Sequence, residues 1–204
     1  MNLDNFCYYS FGQSEVGKVI IKILKENTSL MAICLSIFII GTPFGFIFFE
    51  ETEEALLPNL KQIKEKILTE SKSQTALNIF FNNLIVSLIL LAGGTFIILP
   101  FFIMFTNGFL VGFIIKLLLE KNLGLIFFIK GIILHSVFEL PAIFISAAMG
   151  IRIGLSYLTR DNKRRVSRVS QRIREAAVIY LLVVIPLLLI AAFVEAFISA
   201  ELVM

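Results

Sequence analysis

From Ala76 to Leu119 the chain runs 44 residues with one charge, Lys116. As a single helix that stretch would be about 66 Å long, at about 1.5 Å per residue. The hydrocarbon core of a bilayer is only about 30 Å thick. The run must therefore fold back on itself, and Gly93-Gly94 and Pro100 are its natural breakers. That division predicts two spans, about 76–96 and 100–119, joined by a tight turn. Three more segments are long and apolar enough to cross: about 30–49, with Pro43 as a kink, 125–151 and 176–199. The composition agrees, with 58% hydrophobic residues and a mean hydropathy of +0.92. Soluble domains hold about 45–50% apolar residues. The expectation is an all-α polytopic membrane protein of five transmembrane helices.

The connecting segments orient the spans. Residues 152–175, RIGLSYLTRDNKRRVSRVSQRIRE, carry eight Arg and Lys against two acids. Residues 50–74, EETEEALLPNLKQIKEKILTESKSQ, carry six acids against four lysines. The positive-inside rule places the basic loop in the cytoplasm. Five spans then put the amino terminus inside, and the 50–75 loop and the carboxyl terminus outside a plasma membrane. Residues 1–29 are polar and mixed in charge, unlike a cleavable signal, and form a cytoplasmic segment ahead of the five-span domain, 30–204. Cys7 and Cys34 are too few for a disulfide framework, and the nucleotide-binding, CxxC, HExxH and GxSxG patterns are absent.

Two further stretches have helical amphipathicity. Val16, Val19, Ile20, Ile23 and Leu24 share a face at the amino end, with Lys18, Lys22 and Lys25 elsewhere on the wheel. That predicts an interfacial helix. In the outer loop Leu56, Leu60, Ile63 and Ile67 form one stripe, preceded by acids and interleaved with lysines, as the helix dipole prefers. This outer helix suits the membrane surface or a protein partner. Arg160, Lys163, Arg164, Arg165 and Arg168 of the inner loop suit anionic lipid, and a solvated loop explains them equally well. Nothing in the chain points to nucleic acid.

An ionisable group inside a span costs about 2.5–3.5 kcal/mol on insertion scales, so each one needs a reason. Lys116 and Lys130 lie close enough to span ends to snorkel. His135 and Glu139 do not: they sit about 15 and 21 Å into the fourth span. Their i, i+4 spacing places them on one face. Asn82 and Asn83, Asn107 and Glu195 fall in the outer half of three other spans. A shared polar cluster is the economical arrangement, with Gly93, Gly94, Gly108 and Gly112 allowing close helix approach around it. Pro141 would free a backbone carbonyl nearby.

Three roles fit that cluster. It can hold the bundle together by interhelical hydrogen bonds. His135, Glu139 and Glu195 can ligate Zn, Mn or Fe and activate water for intramembrane hydrolysis. Or a His135–Glu139 pair can relay protons in a small-solute carrier, although no inverted repeat is visible.

The residues Phe80-Phe-Asn-Asn83, Asn107-Gly108, His135–Gly154 (HSVFELPAIFISAAMGIRIG) and Ala191–Phe197 (AAFVEAF) resemble those of the stage II sporulation protein M (SpoIIM-like) family. Ser136 stands where that family more often has glycine. The resemblance implies five spans and maps the family's polar residues onto Asn82 or Asn83, Asn107, His135, Glu139 and Glu195. It further implies a scaffold role, since the namesake works with peptidoglycan-cleaving partners during forespore engulfment. Relatives also occur in organisms that form no spores. The leading reading is thus a non-enzymatic scaffold or permease-like subunit of a larger membrane complex, with protein partners in the membrane or on its outer face. The hydrolase and the carrier follow it.

Overall fold

The computed structural model describes residues 13–121, 134–158 and 162–199, and every regular element among them is helical. These elements are α1 (Gln13–Ile47), α2 (Phe49–Ile67), α3 (Lys72–Gly93), α4 (Ile98–Glu120), α5 (Leu134–Tyr157), α6 (Asn162–Ile179) and α7 (Ile185–Val194). A π turn, Tyr180–Val184, joins α6 to α7, and a second, Glu195–Ser199, follows α7. Five stretches are long and apolar enough to span: Glu15–Ile47, Lys72–Gly93, Ile98–Glu120, Ser136–Tyr157 and Arg164–Phe197. The chain is an all-α, multi-pass membrane protein.

The turn between the second and third spans falls at residues 94–97, inside the expected window. Two other connections differ from the sequence reading. The amphipathic amino-terminal stretch is not separate from the first span, because α1 is one helix of 35 residues. At about 52 Å it outreaches the hydrocarbon core by about 20 Å, so its polar turns extend the span. The basic segment 152–175 is likewise mostly helix, supplying the last turns of α5 and the larger part of α6. Hydropathy registers only the apolar part of a helix, and a charged helical extension reads as a loop.

α5 is the centre. Ala142 through Gly150 are buried without a gap, whereas the other spans bury a third or less of their most apolar stretch. Its small residues, Ala142, Ser146, Ala147, Ala148 and Gly150, let neighbours approach on every side. Ala142, Ile145, Met149 and Ile153 face Ala176, Ile179, Val184 and Leu188 of the last span. Ile143, Phe144, Ala147 and Ile151 face Cys34 and Phe38 of α1, Leu90 of α3 and Met104 of α4.

α1 and α4 form the most extensive helix pair. Gly41 and Gly45 of α1 pack on the α4 backbone, and Gly108 and Gly112 of α4 pack on the α1 backbone. A Cβ at Gly45 would overlap the Phe109 carbonyl, and one at Gly112 would overlap that of Thr42. Gly94 and Gly150 meet in the same way between α3 and α5. Lipid is as apolar as leucine, so such backbone-to-backbone packing stands in for the hydrophobic effect. Gly93, by contrast, meets only the Leu99 side chain.

α2 is the stripe-bearing helix of the acidic connection. It starts with Phe49 buried against Phe113 of α4, ring centroids 4.7 Å apart. It ends where the Asn78 amide donates to the Ile67 carbonyl at 3.1 Å. It therefore bridges from the α1–α4 pair to α3 at one end of the bundle.

Candidate functional site: an intramembrane carboxylate and amide centre

Thr75, Ile79, Asn83, Ser87 and Leu90 are the buried residues of α3, spaced four, four, four and three apart. That spacing is one helix face, and three of its five members are polar. The Asn83 amide lies beside the Glu139 carboxyl of α5. Glu195 of the last span lies within electrostatic reach of that carboxyl. One turn further along α3, Ser87 Oγ and Tyr180 Oη share a hydrogen bond of 2.7 Å. The Leu84 carbonyl lies 2.8 Å from Ser87 Oγ and 3.2 Å from Tyr180 Oη, and accepts the remaining hydroxyl proton. α3 thus presents a polar ladder to α5 and to the last span.

Both π turns serve this ladder. The Ile185 amide reaches back five residues to the Tyr180 carbonyl. Pro186 follows at once, and its ring would clash with the Leu182 carbonyl in a regular α-turn. The wider turn relieves that clash, and Tyr180 is its first residue. Glu195 likewise opens the second π turn.

The predicted cluster is partly assembled. Asn83, Glu139 and Glu195 come together. Asn82 is exposed, reaching the centre only through an amide contact of 3.3 Å to Asn83 Oδ1. Asn107 donates to the Ile103 carbonyl of its own helix at 2.9 Å. The backbone of His135 lies in α5, and its side chain is outside the described residues. Among the described residues no three His, Cys, Asp or Glu side chains gather to hold a metal. Two carboxylates and an amide can share a proton, take a small cation or bind interhelical donors.

Of the residues expected to bind lipid, Arg164 and Arg168 are exposed and Arg165 is half-buried on α6. Arg160 and the Lys163 side chain lie outside the described residues, as does Lys130. Lys116 pairs with Glu120 at 3.2 Å near the end of α4, over the Phe46 ring.

Sequence reasoning missed an ionic cluster at the opposite, basic end. Glu26 of α1 is held by Arg152 of α5 and, at 3.4 Å, by Arg172 of α6, which also pairs with Glu175 at 2.6 Å. Glu26 lies more than 100 positions from Arg152 and Arg172, and no local pattern joins it to them.

The fold and site define a five-span helical membrane protein with a carboxylate–amide centre between its second, fourth and fifth spans. The family model for Stage II sporulation protein M matches residues 19–200, and the chain belongs to that family. It is also 31% identical over 172 residues to "Uncharacterized protein MJ0793" of Methanocaldococcus jannaschii, covering 82% of this chain and 92% of that protein. No solved structure matches the chain.

Proposed function

We propose that the protein is an integral scaffold or permease-like subunit of a larger complex in the plasma membrane, its basic end in the cytoplasm. The observation that carries this reading is α2. It is fastened at Phe49 and Ile67, while Leu56 and Leu60 are half-buried and Ile63 is 50% exposed. An apolar stripe held out at the acidic end of a membrane bundle suits a protein partner on the outer face. The polar ladder supports the same reading, since Ser87 and Tyr180 are satisfied by partners within the bundle.

The test compares two variants for the complex recovered from membranes by chemical cross-linking. Leu60→Asn/Ile63→Asn should abolish the partner cross-link while the thermal unfolding midpoint is kept. Glu139→Gln should keep the cross-link. Retention of the complex by the α2 variant would sink the scaffold reading. Loss of cellular function in Glu139→Gln with the complex intact would favour the permease-like role.

A further inference from the structure

α1 carries Lys18, Lys22 and Lys25 at i, i+4 and i+7, all exposed, around an open groove that also includes Ile21 and Glu26. We propose that this groove seats the headgroup of an anionic glycerophospholipid.

Three observations converge on it. The first is depth. The apolar part of α1 begins at Leu30, so Lys25 lies about 7 Å beyond it and Lys22 about 12 Å. The headgroup zone adds about 5–7 Å to each side of the hydrocarbon, and lysine stems reach a few ångströms back towards the lipid. The second is the apolar content. Ile21 is 54% exposed and Val19 38% exposed among the lysines. That surface is costly in bulk water, and a lipid held by the lysines would cover part of it. The third is charge. The one acid lining the groove, Glu26, is engaged from the other side by Arg152 and Arg172. Its carboxylate is neutralised by helices α5 and α6 and leaves the lysine face positive. Lys18 keeps an exposed partner in Glu15 at 2.8 Å, a contact that water and salt screen. A soluble anion would need charge alone, whereas a phospholipid uses the charge, the exposed isoleucine and the depth together.

The proposal is independent of the scaffold reading. Its test is native mass spectrometry of the purified full chain titrated with phosphatidylglycerol or phosphatidylcholine. A basic residue near the surface contributes about a five-fold preference for anionic lipid. Wild type should therefore prefer phosphatidylglycerol, and Lys18→Gln/Lys22→Gln/Lys25→Gln should lose about 25-fold of that preference, carried by Lys22 and Lys25, because Lys18 lies about 18 Å beyond Leu30. The corresponding Lys→Arg triple should retain it. The substituted side chains are exposed, so all three proteins should share one unfolding midpoint. Preference surviving in the Gln triple would overturn the proposal. So would preference lost instead in Arg164→Gln/Arg168→Gln, which would place the lipid on α6. Displacement of phosphatidylglycerol by equimolar inorganic phosphate would mark a site for a soluble anion and overturn it too.

Discussion

At the scale of single residues, Asn82 and Asn83 are chemically identical neighbours with different fates. Successive helix positions differ by about 100°, so one faces out and the other meets Glu139. Asn83→Ala removes the amide beside a buried carboxyl and should cost about 1–3 kcal/mol. Asn82→Ala should change stability by a few tenths at most, because its side chain is exposed and its hydrogen bond to Asn83 is long. Unfolding in mixed micelles measures both, and equal losses would refute the assignment. Depth alone, legible in the sequence, selected both asparagines and the Glu139–Glu195 pair. Rotation about the helix axis separates the two asparagines, and it is readable only through the full α3 stripe. Asn107 shows the other limit: a polar residue at the right depth can be satisfied by its own helix.

At the scale of elements, the glycines decide how closely helices approach. Gly45→Leu or Gly112→Leu would drive a side chain into a facing backbone. Either should separate α1 from α4 and prevent accumulation of folded protein. Gly45→Ala should cost about 1–3 kcal/mol by overpacking. Gly17, with open space around its Cβ position, is the control. Gly17→Ala should be neutral or stabilise by up to about 1 kcal/mol through helix propensity. Yields and unfolding midpoints across this series check the argument; a harmless Gly45→Leu would defeat it. The sequence pointed to Gly94, Gly108 and Gly112 but not to Gly41, Gly45, Gly150 or Gly154. A glycine's spacing is visible locally, whereas its partner helix depends on the tertiary fold. The π turns were hidden for a related reason. Pro186 signals a disturbance, and only the backbone shows that one wide turn absorbs it.

At the scale of the whole molecule, the number of spans and the turn at residues 94–97 could be read directly, because hydropathy and length suffice for both. The centrality of α5 could not, since its small residues mark close packing without saying on how many sides. The orientation given by charge bias is testable with single cysteines in a Cys7→Ser/Cys34→Ser background. A cysteine at exposed Ser73 should react with a membrane-impermeant maleimide in intact cells. One at exposed Ser170 should react only after permeabilisation, and the reverse pattern would invert the topology. The pairing of α1 with α4 has a further consequence for biogenesis. Between Gly45 and Gly112 lie two whole helices, and at about 5–20 residues per second the ribosome needs several seconds to deliver the second of them. For that interval the Gly41–Gly45 face of a nascent chain lies bare in lipid. A small-residue face of this spacing is also one on which two copies of a helix can pair, so early synthesis is when this protein is most exposed to mispairing.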